Sequence, residues 1–147
     1  MQNGEEVIWL PLERAEALRI LQEQVTAGDT WLQMADELSP GIASNVLEFY
    51  NAKEDFRRNN SKLREITQDD DTTDREVDNN TGDRMNSLGW MEGSLKTWDA
   101  RWPQGAAEKK QAFWDATKAL RTLIWKDQAV VRSGMQESAT STVATTA

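Results

Sequence analysis

Apolar residues in this 147-residue chain recur at steps of three and four, which is the spacing of one face of an α-helix. Only three prolines and eight glycines interrupt the chain, so helices of many turns are possible. The most regular seam lies in segment 84–102 and consists of Leu88, Met91, Leu95, Trp98 and Trp102. The pattern predicts an all-α fold.

Start and stop signals divide the chain into four main helices and one short one. Gly28 is typical of the position just past a helix, and Ser39-Pro40 is an N-cap followed by a proline at the first helical position. The widths of the apolar stripes favour an elongated bundle. The predicted main helices are 11–27, 40–67, 84–102 and 106–133, and the short helix is 30–38.

The segments between and beyond these helices have little apolar content. Residues 67–83 contain one apolar side chain and no period, which predicts an acidic loop insert. We expect an extended N-terminal arm over 1–10 and an extended Ser/Thr-rich C-terminal tail over 134–147, around a helical bundle domain that spans 11–133. Trp9 either anchors the arm in a groove or covers a local apolar patch.

The composition excludes much of the common site chemistry. The chain has no cysteine and no histidine, which removes disulfides, thiolate nucleophiles, Cys-based zinc sites and the commonest general base. No pair of carboxylates is placed by its spacing as acid and base. We therefore predict a protein that is not an enzyme, with no catalytic residue, no cofactor and no metal site.

One acidic motif matches a pattern that is found in enzymes. Residues 69–73, Asp-Asp-Asp-Thr-Thr, match the D-x-D-x-T pattern of haloacid-dehalogenase-like phosphotransferases, but they follow a helix end rather than a buried strand. Their carboxylates are also ligands that Ca²⁺ or Mg²⁺ prefers, although the spacing does not fit an EF-hand. We expect a solvated acidic turn, with a metal-dependent enzyme as the least favoured alternative.

The last helix has a second stripe beside its apolar core face. This stripe lacks acidic residues, and it pairs tryptophan with arginine or lysine at i, i+4 spacing, which permits cation–π contacts. Trp and Arg are also enriched in protein interface hot spots. Trp90 is added to the set because it lies away from the apolar seam of its own helix. The predicted partner-binding residues are therefore Trp90 and, from the stripe, Lys110, Trp114, Lys118, Arg121, Trp125 and Arg132.

Two interpretations of the stripe stay open. A neighbouring helix of the same chain could cover it, with the Lys and Arg stems lying along the tryptophans. Alternatively, the stripe faces a protein partner. Nucleic acid is a weaker third partner, because the chain has a formal net charge of -8.

The charges are unevenly distributed. Segment 67–83 holds seven acidic residues and one arginine, a net charge of -6, whereas 106–133 holds six basic and three acidic residues, a net charge of +3. Surfaces of opposite charge attract. We therefore expect the acidic segment and the basic helix to meet, within one subunit or between subunits.

These features favour a non-enzymatic structural or assembly protein. No apolar run approaches the roughly 20 residues that a membrane-spanning helix needs, so we expect no membrane partner. A small helical body with extended ends resembles, in architecture, the head–tail connector, adaptor and decoration proteins of tailed-phage particles. The resemblance implies location in a virion and contact with other protein subunits, as a homo-oligomer or within a larger assembly. The alternative is a cytoplasmic helical adaptor or regulator that binds one protein partner.

Overall fold

The computed structural model describes the backbone of residues 3–42, 47–97 and 107–146, with side chains over 13–38, 47–96 and 108–135. In these residues it contains four α-helices and no strand, which confirms the predicted all-α class. None of the helices, over the part described, has the apolar length that crossing a bilayer requires. The helices are α1 (Asn3–Ile42), α2 (Leu47–Ile66), α3 (Asp74–Thr97) and α4 (Ala107–Thr146).

The four helices form a ring in which α1 packs against α2 and α4, and α3 packs against the same two neighbours. Residue numbers rise along α1 while those of its partners fall along α4, as in the hydrogen-bonded pairs Gln24–Asp127 and Trp31–Thr117. The same reversal relates α1 to α2 and α3 to α4. The arrangement is therefore an up-down-up-down bundle.

The interior consists of two separate apolar clusters. The aromatic cluster contains Trp31, with its ring centroid 4.8 Å from that of Phe56 and 5.3 Å from that of Phe113. The aliphatic cluster at the other end contains Leu21, Leu63 and other side chains without rings. Burial of Leu88, Met91 and Leu95 confirms the predicted core at these positions.

The first helix differs from the prediction. Segments 11–27 and 30–38 belong to one continuous helix, so the separate short helix is wrong, and Ser39-Pro40 lies in the last turn of α1 rather than at the start of α2. Gly28 is not a stop signal. A Cβ atom added to Gly28 would lie 2.8 Å from the Asn60 Cγ, so the glycine lets α2 pack closely against α1.

The predicted acidic loop is also too long. Helix α3 begins at Asp74, so the non-helical segment is 67–73 and residues 74–83 are helical. The Glu76 backbone N–H donates to the Thr73 Oγ1 (3.2 Å), and the Thr73 hydroxyl donates to the Glu76 Oε1 (3.3 Å). This arrangement is a variant of the capping box, and the pattern Thr-x-x-Glu in the sequence indicates a helix start at this position.

The predicted extended ends are wrong as well. Residues 3–10 continue α1 toward the N-terminus, and residues 134–146 continue α4 toward the C-terminus. Gly134, just past the predicted end of the last helix, marks a close approach of α4 to α1, because an added Cβ atom would lie 2.8 Å from both the Ala17 Cβ and the Glu13 carbonyl oxygen. Residues 43–46 of the predicted second helix, the seam positions Trp98 and Trp102, and the side chain of Trp9 lie outside the described residues.

Candidate docking surface

Part of the predicted stripe on α4 is covered by α3 of the same chain. Trp114 is half-buried and packs against the aromatic cluster. Lys96 of α3 and Lys118 of α4 each place Nζ 5.9 Å from the centroid of the Trp114 ring, within the range of a cation–π contact. Lys110 lines the same shallow depression as Trp114 and Lys96. Trp114 of the stripe thus belongs to an internal contact between α3 and α4.

Two ion pairs join the basic stripe to α3. Arg121 pairs with Glu92, whose side chain is mostly buried, and the Arg132 Nε lies 3.3 Å from the Asp78 Oδ1. Asp78 belongs to the acidic segment 67–83, so the prediction that this segment meets the basic helix is confirmed at Arg132, within one subunit. Arg121 pairs outside that segment.

Two of the predicted residues present large apolar surface to solvent. Trp90 is 64% exposed and Trp125 is 68% exposed, whereas Trp31 is 2% exposed. Exposed tryptophan is costly in water because its large ring remains hydrated, and such residues recur at protein interfaces. Within the predicted set, Trp90 and Trp125 are therefore the tryptophans that the bundle leaves exposed.

A groove of about 640 Å³ runs along the face of α3 on which Trp90 lies. At 100° per residue, Gly82 and Gly89 lie about 180° from the buried Met91 and Arg84, so this face is turned away from the core. Glu48 of α2 and Arg121 of α4 line the groove from the two neighbouring helices. The lining consists of Glu48, Gly82, Met85, Asn86, Gly89, Trp90, Gly93, Ser94 and Arg121.

The glycines in this groove are unusual for a solvent-facing helix position. A Cβ atom added to Gly82 would meet no atom within 4 Å, and one added to Gly89 would meet only the Arg121 Nη2, at an ordinary 3.9 Å. The fold of the single chain therefore has room for alanine at both positions. Glycine in a helix interior costs about 0.5–1 kcal/mol relative to alanine. Packing among the residues that the structure describes does not account for these two glycines.

Sequence reasoning identified Trp90 and Arg121 but missed the other residues of the groove. Gly82 lies in the segment 67–83 that was predicted to be a loop, where glycine is ordinary, so nothing linked it to Gly89. The missed signal is the seven-residue spacing of Gly82 and Gly89, which places both on one helix face once residues 74–83 are helical.

The acidic turn before α3 is organised by hydrogen bonds. The Asp71 backbone N–H donates to the Asp69 Oδ1 (2.9 Å), and Arg14 of α1 donates to the carbonyl oxygens of Asp70 (3.0 Å) and Thr72 (2.7 Å). Among the described residues, no group of three or more acidic side chains is placed to hold a metal ion. The absence of a metal or cofactor and the absence of catalysis stay predictions.

Comparison with protein-family models, with curated proteins and with solved structures finds no match for this chain.

Proposed function

We propose that the protein is a non-enzymatic assembly protein that docks on a second copy of its own chain through the outer face of α3. The observation that carries the proposal is Trp90, 64% exposed on a groove of about 640 Å³. A Trp ring from one subunit can enter such a groove on the other, and buried aromatic anchors dominate the energetics of protein interfaces.

The charge of the groove favours a second copy as the occupant. The chain carries a net charge of -8, so most approaches between two copies are repulsive. The groove lining contains one acidic residue, Glu48, and one basic residue, Arg121, and is otherwise uncharged. Two copies can therefore meet at this face without net repulsion, and its opposite-charge edges offer complementary contacts.

Sedimentation velocity over a concentration series tests this proposal directly. We expect the wild-type protein to associate reversibly, and Trp90→Ala to weaken association about tenfold or more, as for a hot-spot residue. Trp125→Ala is the matched control, because it removes an equally exposed ring outside the groove. A wild-type monomer at every concentration, or equal effects of the two substitutions, contradicts the proposal.

For the biological setting we propose a small helical virion component of a tailed phage, of the connector, adaptor or decoration type. The small helical bundle and the proposed docking face support this setting. The ends do not support it, because they are helical where extended arms were expected. A cytoplasmic adaptor is the alternative. Portal, capsid or tail genes beside the gene for this chain support the first setting, and their absence supports the second.

A further inference from the structure

A layer of polar side chains separates the aromatic cluster from the aliphatic cluster. At its centre is Arg84 of α3, which is 1% exposed. Its Nε donates to the Asn80 Oδ1 (2.8 Å), its Nη2 to the Thr81 Oγ1 (3.2 Å), and its Nη1 crosses the bundle to the Gln24 Oε1 of α1 (2.9 Å). No carboxylate within the described side chains pairs with this guanidinium.

The layer is continuous across all four helices. The Asn80 Nδ2 donates to the Asn59 carbonyl oxygen of α2 (2.9 Å), and the Gln24 Nε2 donates to the Asp127 Oδ2 of α4 (3.4 Å). The hydrogen-bond chain thus runs from α2 to α3, from α3 to α1 and from α1 to α4. The nearest carboxylate in it, that of Asp127, is reached only through Gln24.

Such a layer is a poor source of stability. An arginine removed from water without an adjacent counter-charge has a large desolvation cost, and apolar side chains of similar volume often stabilise a bundle more. The apolar clusters, in contrast, contribute stability but do little to fix the alignment of the helices. Burial of apolar area is non-directional, so a helix displaced by one turn buries a similar amount.

We propose that the Gln24–Arg84–Asn80 hydrogen-bond chain is a register lock, which selects one axial and rotational alignment of the four helices without adding to stability. In a displaced alignment, Arg84 would be buried without its acceptors, and that state is excluded by its desolvation cost. The lock includes the rotation of α3 about its own axis. It does not depend on what docks on the outer face of that helix.

The triple variant Gln24→Leu/Asn80→Leu/Arg84→Met removes the layer as a whole, and nuclear magnetic resonance of the tryptophan indole N–H groups reports the number of alignments. The chain has seven tryptophans, so a single alignment gives seven indole resonances. We expect the triple variant to melt at the wild-type temperature or above it, with more than seven resonances and increased binding of a hydrophobic dye. Lys53→Met is the control, because it removes a buried cation outside the layer, and it should retain seven resonances.

Seven sharp resonances in the triple variant would overturn the proposal. Arg84→Lys serves as a second variant that avoids added leucine volume, because lysine keeps the charge but cannot hold three acceptors in a fixed planar geometry. If the triple variant does not fold, Arg84→Lys decides. Additional resonances in Arg84→Lys support the lock, and seven sharp resonances in it overturn the proposal.

Discussion

Glycine has two opposite roles among the residues of this bundle. Gly28 faces the interior, where the buried Asn60 side chain occupies the space that a Cβ atom would need. Gly82 faces outward, where a Cβ atom would meet nothing within 4 Å. The same substitution to alanine therefore has opposite consequences for stability at the two positions, although the gain in helix propensity is equal.

Gly28→Ala is predicted to lower the free energy of unfolding by about 1–3 kcal/mol, because overpacking outweighs the gain in helix propensity. The Asn60 amide cannot easily move aside, since its Nδ2 donates to the Val25 carbonyl oxygen (3.2 Å) and to the Asp29 Oδ1 (2.9 Å). Urea denaturation measures the change. In the background of Asn60→Ala, the cost of Gly28→Ala should largely disappear, and an unchanged cost would show that the contact is not its cause.

We expect Arg84 to make the free energy of unfolding of the bundle depend on pH in the alkaline range. Burial lowers the pKa of the Arg84 guanidinium from its ordinary high value to about 10. Between these values the unfolded chain binds the proton more strongly than the folded chain, so the free energy of unfolding rises with pH. Wild type should therefore gain stability relative to Arg84→Met between about pH 9 and about pH 11. A difference between the urea midpoints of wild type and Arg84→Met that stays constant over this range would contradict the assignment.

At the scale of the elements, α3 shows which parts of the fold the sequence could predict. Leu88, Met91 and Leu95 form an apolar seam and are buried as expected. The preceding turns of α3 keep the same spacing, but their buried positions include Asn80 and Arg84. Apolar periodicity does not detect polar residues that are buried in a hydrogen-bonded layer, so the turns that precede Arg84 were predicted to be a loop.

The same limit applies to the candidate site. The basic stripe on α4 and exposed Trp90 could be predicted from spacing alone. The covering of Trp114 by Lys96 and the pairing of Arg121 with Glu92 depend on how α3 lies against α4, which helical periodicity within one element does not specify. The groove depends in addition on the start of α3 at Asp74.

One buried hydrogen bond connects α1 and α4 within the aromatic cluster. The Trp31 Nε1 donates to the Thr117 Oγ1 (2.8 Å), and the Thr117 hydroxyl donates to the Phe113 carbonyl oxygen (2.7 Å). Thr117→Val preserves the shape but leaves the indole N–H without an acceptor, so we expect a loss of about 1–3 kcal/mol in the free energy of unfolding. Thr117→Ser, which retains the hydroxyl, should lose distinctly less. Equal losses in thermal and urea melts would assign the effect to packing instead.

At the scale of the whole molecule, the acidic charge and the groove act together. The net charge of -8 keeps copies of the chain apart over most of its surface, whereas the groove combines a nearly neutral lining with the exposed ring of Trp90. Association should therefore strengthen with ionic strength, because screening weakens the long-range repulsion more than the contact itself. We expect this association to occur at the outer face of α3.

The most direct test of that claim is to measure stability and self-association of Gly82→Ala/Gly89→Ala in the same preparation. Both positions have room for a Cβ atom within one subunit, so the free energy of unfolding of the dilute monomer should rise by about 1–2 kcal/mol. The two methyl groups would reduce the depth of the groove, so the dissociation constant from sedimentation velocity should rise about tenfold or more. A more stable monomer that associates as tightly as the wild type would contradict docking at the outer face of α3.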